Sequence, residues 1–143
     1  MKKLLFVSTL LIFATTLSSC DKDDKDKKEI SSSPIIGTWK YYGYTEDGSF
    51  ENVIEGKYDS NEIYTFLSNG TGSNSYENKN NGEVKVERIT IEWSIETNVL
   101  IILYIYDNDE RYADATRFKV ENDKLYLYDS DGRGDAYIYN RVR

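Results

Sequence analysis

The sequence contains no histidine, and this absence limits the chemistry that the chain can perform. Histidine is the usual general base near neutral pH and the commonest metal ligand. A Ser-His-Asp triad, a Cys-His pair and the ordinary histidine-containing zinc sites are therefore excluded. A carboxylate mechanism remains open, but no spacing among the 25 Asp and Glu residues selects one pair for glycoside hydrolysis. We therefore predict a protein that is not an enzyme and that needs no cofactor.

The sequence also lacks the features that attract nucleic acid. It has no long run of Lys and Arg and no glycine-rich phosphate loop, and its formal net charge is −7. An acidic surface repels phosphate backbones. Nucleic acid is therefore excluded as an expected partner.

The chain has a single cysteine, Cys20, which lies where an apolar N-terminus gives way to a charged run. The start "MKK" is a positive n-region, and "LLFVSTLLIFATTL" is an apolar h-region that is shorter than the roughly 20 residues of a membrane-spanning helix. Small residues follow at Ser18 and Ser19. The pattern predicts an export signal over residues 1–19.

The four residues Leu17, Ser18, Ser19 and Cys20 resemble the lipobox of bacterial lipoproteins. The resemblance implies that Cys20 is acylated, becomes the first mature residue and anchors the protein to a membrane. Several acyl chains anchor stably, because each buried CH₂ contributes about 0.8 kcal/mol. The alternative is an ordinary secreted protein in which Cys20 is an unpaired thiol.

Residues 20–34 are predicted to be the lipidated cysteine and an acidic, disordered tether, because "DKDDKDKKEISSSP" has almost nothing to bury. Its acids Asp21, Asp23 and Asp24 resemble the surface-export signal of Bacteroidota lipoproteins. That resemblance implies a location on the outer face of the outer membrane. Asp directly after the cysteine also resembles an inner-membrane retention signal of enteric-type bacteria, and a spacer without a sorting role is a third interpretation. We favour the cell surface.

Residues 35–143 alternate between apolar and polar side chains, which is typical of half-buried strands. In "ERITIEWSIE", the apolar residues Ile89, Ile91, Trp93 and Ile95 share one face. Turn signals separate the predicted strands, which cover residues 36–44, 62–67, 71–77, 86–95, 99–106, 112–121, 124–128 and 135–142, with a short strand or helical turn in 50–58. About eight short antiparallel strands predict an all-β, up-and-down barrel, with a sandwich as the alternative.

Four motifs then resemble, in order, the lipocalin-like lipoproteins of Bacteroidota. They are "IIGTWKYYGY" with Gly37-x-Trp39, "YTFLSNGTGS", "IEWSIETNVLIILY" with Trp93, and "KLYLYDSDGRGDAYIYNRVR". The resemblance covers most of residues 35–143 and implies a lipocalin-like barrel, and our first function hypothesis for this barrel is non-catalytic binding of a small apolar or glycan ligand. Gly37, Trp39 and Trp93 are expected in its core. The chain is shorter than a typical lipocalin and lacks an evident C-terminal helix, so a retinoid-type pocket is not implied.

The strand "VLIILYIY" is apolar on both faces, although a barrel strand has only one interior face. The row that contains Leu100, Ile102 and Tyr104 is a candidate patch for a protein partner. The alternative is that another part of the molecule covers it. A partner-docking accessory protein is therefore the alternative to the ligand-binding function.

The last hairpin carries two tyrosine pairs, Tyr126 with Tyr128 and Tyr137 with Tyr139. A row of tyrosines offers flat contacts with polar tips and would suit stacking on sugar rings. Ordinary cross-strand aromatic pairing is the alternative. Between the pairs, Asp129, Asp131 and Asp135 loosely resemble a calcium loop, but glycine at position four and the missing Glu do not fit an EF-hand. A plain hairpin turn is the preferred interpretation, and no metal is expected.

Overall fold

The computed structural model describes residues 32–48, 50–56, 61–80, 82–129 and 134–143. The predicted signal peptide, the lipobox residues Leu17, Ser18 and Ser19, the acylation site Cys20 and nearly all of the tether lie outside the described residues. No helix within the described ranges is long and apolar enough to span a membrane.

The described residues form nine β-strands and one turn of 3₁₀ helix. The strands are β1 (Gly37–Thr45), β2 (Ile54–Glu55), β3 (Ile63–Phe66), β4 (Thr71–Asn80), β5 (Glu83–Glu96), β6 (Val99–Ile105), β7 (Arg111–Glu121), β8 (Lys124–Tyr128) and β9 (Ala136–Val142), and the 3₁₀ turn is Phe50–Asn52. The eight strands predicted from the alternation are all present. The segment 50–58 holds both the helical turn and the short strand that were expected as alternatives.

The sheet closes on itself, which confirms the predicted barrel over a sandwich. Its strand order is β2-β1-β3-β4-β5-β6-β7-β8-β9, and β1 also pairs with β9. Every pairing is antiparallel. The ring therefore contains eight strands, and β2 pairs only with Gly43 and Tyr44, on the edge of β1 that faces away from β9.

Tight turns set the register of neighbouring strands. The connection between β7 and β8 is Asn122-Asp123, and both residues have positive φ, at 52° and 58°. Two consecutive left-handed residues match the right-handed twist of a hairpin, and Asn and Asp tolerate this conformation better than most residues. The Asn122-Asp123 turn thus places Val120 of β7 directly opposite Leu125 of β8.

The closed part of the interior is filled by aromatic and aliphatic side chains. Trp39 is fully buried and its indole Nε1 donates a hydrogen bond of 2.6 Å to the Ile35 carbonyl. Trp93 is also buried, donates to the Leu67 and Thr71 carbonyls, and meets Phe66 edge to face at 5.5 Å. Both tryptophans therefore occupy the core positions that the sequence predicts, while Gly37 is half-buried with φ of +134°.

A second apolar cluster lies on the outer face of the sheet. Tyr126, Ala136 and Ile138 are buried there, with Tyr42, Val53 and Tyr128 packed against them. A bulge in β1 between Tyr41 and Gly43 separates the inward Tyr41 from the outward cluster. Residues just before β2 cover this part of the wall, so it is not exposed.

Candidate functional site

The barrel encloses a half-open cavity of about 250 Å³. Its described lining residues are Glu62, Tyr64, Ile102, Tyr104, Asp114, Ala115, Thr116, Leu127, Tyr128, Asp129, Tyr137 and Tyr139. The packed core residues Ile35, Trp39, Phe66 and Trp93 do not line it. The interior is therefore divided into a filled part and a part with room for a small molecule.

A carboxylate, Glu62, lies at the centre of the polar contacts in this cavity. Its Oε2 accepts a hydrogen bond of 2.7 Å from the Tyr139 hydroxyl, and its Oε1 accepts one of 2.8 Å from Asn74 Nδ2. The Tyr41 amide donates to the Glu62 carbonyl, and Tyr41 also pairs with Tyr139. The two strands that flank β1 therefore bring Glu62 and Tyr139 to the same inner face, although they are 77 residues apart in sequence.

Two further tyrosines meet beside this carboxylate. The hydroxyl oxygens of Tyr64 and Tyr104 are 2.7 Å apart, and either can donate to the other. Burial, followed by the negative charge of Glu62, raises the pKa of the Tyr64 and Tyr139 hydroxyls well above the usual value. Burial also raises the pKa of Tyr104 to about 12. All three tyrosines therefore remain neutral phenols at physiological pH.

Two more carboxylates line the cavity. Asp114 is exposed on β7 and its Oδ1 accepts a hydrogen bond of 2.9 Å from the Ala115 amide. Asp129 follows β8 and is half-buried.

None of the described lining residues is Lys or Arg. Within the described ranges, no group of three or more His, Cys, Asp and Glu residues is arranged to hold a metal ion. The described lining of the cavity therefore presents ring faces, hydroxyls and carboxylates.

The four tyrosines of the last hairpin do not form one surface. Tyr126 and Tyr128 stack on each other in the outer cluster, with ring centres 6.5 Å apart. Tyr139 is buried in the core, and Tyr137 is packed against it and lines the cavity. The expectation of a common binding stripe is therefore corrected. Alternation along β8 and β9 sends Tyr126 and Tyr128 to the outer face and Tyr137 and Tyr139 to the inner face, although Tyr128 also borders the cavity.

The expected patch on β6 is also corrected. Leu100 is fully buried, Ile102 is 1% exposed, and Tyr104 lines the cavity, so this row faces the interior. The outer row of β6 consists of four half-buried residues, namely Val99, Ile101, Leu103 and Ile105. The register decides between the two rows, because Ile102 lies opposite the buried Trp93.

The acidic turn between β8 and β9 has a structural role in its described part. Asp135 is buried and its Oδ2 accepts a hydrogen bond of 2.8 Å from the Tyr44 hydroxyl. The Asp129 amide donates to the Asp135 carbonyl at 2.8 Å, which closes the base of the turn. Asp131 lies outside the described residues.

Sequence reasoning missed two acids of the cavity, Glu62 and Asp114, and Asn74, which donates a hydrogen bond to Glu62. The available signal was the alternation itself. Glu62 shares a face with Tyr64 and Phe66, and Asp114 shares one with Thr116 and Phe118. A polar residue on the same strand face as buried apolar residues indicates a cavity at that place. An acid that is considered without its neighbours is assigned to the solvated surface instead.

Two solved structures have a similar fold. A lipocalin-like protein from Bacteroides uniformis ATCC 8492 aligns with a TM-score of 0.52 at 14% identity, covering 75% of this chain and 97% of that one. An uncharacterized protein from Bacteroides eggerthii DSM 20697 aligns with a TM-score of 0.51 at 12% identity, covering 75% and 98%. No family model and no curated protein matches the chain. The fold is therefore that of a lipocalin-like β-barrel.

Proposed function

We propose that the chain is a surface-anchored lipoprotein whose lipocalin-like barrel binds a small ligand without catalysis. The observation that carries the proposal is the half-open cavity of about 250 Å³, lined by tyrosine rings and carboxylates. Ligand sites typically measure about 300–1,000 Å³ and combine apolar walls with a few placed polar groups. The cavity is slightly smaller than this range, which favours a ligand of about one ring, such as one glycan unit, over a long apolar chain.

Anchoring is the second part of the proposal. It is supported by the lipobox-like Leu17, Ser18, Ser19 and Cys20, by the acidic run that follows, and by the lipocalin-like fold that the chain shares with proteins of Bacteroides. A tethered barrel on the outer membrane would capture its ligand at the cell surface. The signal peptide of residues 1–19 and the tether of residues 20–34 are part of the same proposal.

Native mass spectrometry of the protein purified from its own host tests the ligand. We expect a co-purifying small molecule that is lost from Leu127→Trp, because the larger ring fills the cavity. Leu103→Trp is the matched control, since Leu103 lies on the outer face of β6. Circular dichroism checks that both variants keep the fold. A ligand that is retained by Leu127→Trp and lost by Leu103→Trp would contradict the cavity as the site.

The alternative function is docking of a partner protein. It is supported by the outer row of β6, where Ile101 and Leu103 line a shallow groove beside Glu92 and Ser94. Ile101→Glu would place a charge in this groove. Thr116→Val would instead alter the cavity wall, including the hydrogen bond from the Thr116 hydroxyl to the Tyr128 carbonyl, and would leave the groove unchanged. Loss of a specific cross-linked partner on whole cells with the first variant, but not with the second, would favour docking over ligand binding.

A further inference from the structure

We propose that the barrel cavity selects a small organic cation, namely a single ring that carries a protonated amine and a hydroxyl. This inference rests on the proposed function, because it names the ligand class of the same cavity. Three features of the lining support it: its carboxylates, its neutral phenols and one hydroxyl hydrogen of the Tyr64–Tyr104 pair for which the described residues supply no acceptor.

The charge of the described lining is negative. Glu62, Asp114 and Asp129 reach the cavity from three different parts of the sheet, and no described Lys or Arg joins them. Arg117 alternates with the inward residues of β7 and therefore points outward, where its guanidinium carbon lies 5.8 Å from the Tyr128 ring centre. Carboxylates that line a cleft together raise the local concentration of cations there.

The tyrosine rings reinforce this preference. Tyr64, Tyr104, Tyr137 and Tyr139 all line the cavity. Tyrosine is already neutral at physiological pH, and the raised pKa values of Tyr64, Tyr104 and Tyr139 keep these rings neutral to higher pH still. The face of a neutral aromatic ring attracts an ammonium group. An anionic ligand would gain from neither the rings nor the acids.

The Tyr64–Tyr104 pair is the part of the cavity that would donate a hydrogen bond to the hydroxyl group of the ligand. Two hydroxyls carry two hydrogens, and their mutual bond uses one of them. Tyr64 is only 5% exposed, and both side chains line the cavity, so the remaining hydrogen is available to a ligand oxygen. Glu62 already accepts from Tyr139 and Asn74, but each carboxylate oxygen has a second lone pair that can accept from an ammonium group.

Calorimetric titration with matched probes tests the charge preference. The full-length protein is extracted from its host in mild detergent and freed of bound small molecules by dialysis. The probes are tyramine, its uncharged analogue 4-ethylphenol and its anionic analogue 3-(4-hydroxyphenyl)propionate, together with glucosamine and glucose. We expect at least one amine to bind about tenfold more tightly than its uncharged analogue, and the anion to bind most weakly.

Three substitutions test which carboxylates cause the preference for an amine. Glu62→Gln and Asp114→Asn each remove a cavity charge with little change of shape, and we expect each to weaken binding of the amine about tenfold. Asp114 is exposed, so its variant keeps the test valid if Glu62→Gln fails to fold. Glu92→Gln is the control, because Glu92 is an exposed acid on the outer face of β5. It should bind the amine as the parent does.

The outcomes separate this inference from the proposed function. Equal affinity for an amine and its uncharged analogue, or no binding of either amine, would overturn the cation preference. Equal weakening by Glu92→Gln and Asp114→Asn would also overturn it, because bulk surface charge would then explain the attraction. The general ligand-binding function is judged separately, by the molecule that co-purifies from the host and by Leu127→Trp.

Discussion

The guanidinium carbon of Arg141 lies 4.1 Å from the ring centre of Trp39. The same side chain donates hydrogen bonds to the Ile36 carbonyl at 2.9 Å and to the Pro34 carbonyl at 2.8 Å, and it forms an ion pair with Asp123 at 3.2 Å. One residue of the last strand thus holds the chain segment that enters the first strand. The closure of the ring between β1 and β9 depends on this contact as well as on the backbone ladder.

Arg141→Lys is expected to lower the free energy of unfolding by about 3 kcal/mol. A lysine ammonium cannot reach two carbonyls and a carboxylate while it stacks on an indole ring, so two hydrogen bonds and part of the cation–π contact are lost. Urea unfolding measures the change. Arg143→Lys is the control, because Arg143 is exposed and its contact among the described residues is with Asp123, and it should leave the urea unfolding curve nearly unchanged. Similar effects of the two substitutions would contradict the assigned role.

Gly72→Ala should be among the most damaging single-methyl additions to the barrel. A Cβ at this position would lie 1.9 Å from the Thr65 carbonyl oxygen and 3.2 Å from a side-chain carbon of Ile91. The cause is contact with backbone and not the local dihedral angle. We expect a loss of about 3 kcal/mol or more in urea unfolding, because the β3–β4 pairing must separate.

Gly82→Ala is the comparison for this prediction. Gly82 has φ of +84° but nothing within 4 Å of its added Cβ. Its substitution should therefore cost only the backbone strain of about 1 kcal/mol. If Gly72→Ala cost no more than Gly82→Ala, the close approach of β3 and β4 would be wrong.

Alternation accounts for the parts of the fold that the sequence predicts well. In β5, Ile89, Ile91 and Trp93 alternate with Thr90 and Glu92, and this local pattern is sufficient to assign the strand and its buried face. The two-residue strand β2 is too short to show such a pattern, and only its pairing with Gly43 and Tyr44 of β1 defines it as a strand. Very short strands depend on tertiary context, which local sequence does not contain.

The interior row of β6 required long-range information. Both rows of "VLIILYIY" are apolar, so hydrophobicity alone could not decide between Leu100 and Ile101. The decision comes from the pairing of Leu100 with Ile95 and of Ile102 with Trp93 across the β5–β6 hairpin. The same limit applies to Glu62. Its local sequence predicts a surface position, whereas closure of the barrel brings its carboxylate within hydrogen-bond distance of the Tyr139 hydroxyl.

Alkaline pH should destabilise the barrel between about pH 10 and 12. Burial raises the pKa of Tyr104 to about 12, from an ordinary value near 10 for a tyrosine in water. The unfolded chain therefore releases this proton near pH 10, while the folded chain retains it until about pH 12. Stability is fully present below pH 10 and falls as the pH rises through this window, by roughly 2–3 kcal/mol. Tyr64 and Tyr139, whose pKa values are also raised, act in the same direction.

Urea unfolding at a series of pH values and phenolate absorbance of the native protein test this expectation. Tyr104→Phe should lose less stability across the window than the parent, because it has one fewer masked phenol. Tyr112→Phe is the control, since Tyr112 is exposed. A single phenolate transition near pH 10 that includes all 13 tyrosines would be inconsistent with the buried cluster.

Cys20→Ser should convert the protein from a membrane-bound form to a form that does not sediment with membranes. Serine has no thiol to accept an acyl chain, so the lipid anchor that we propose at Cys20 cannot form. Fractionation of host cells and immunoblotting measure the distribution. Ser19→Ala is the matched control, because alanine is another small residue before the cysteine and should leave the protein in the membrane fraction. Unchanged sedimentation of Cys20→Ser would mean that acylation at Cys20 is not the anchor.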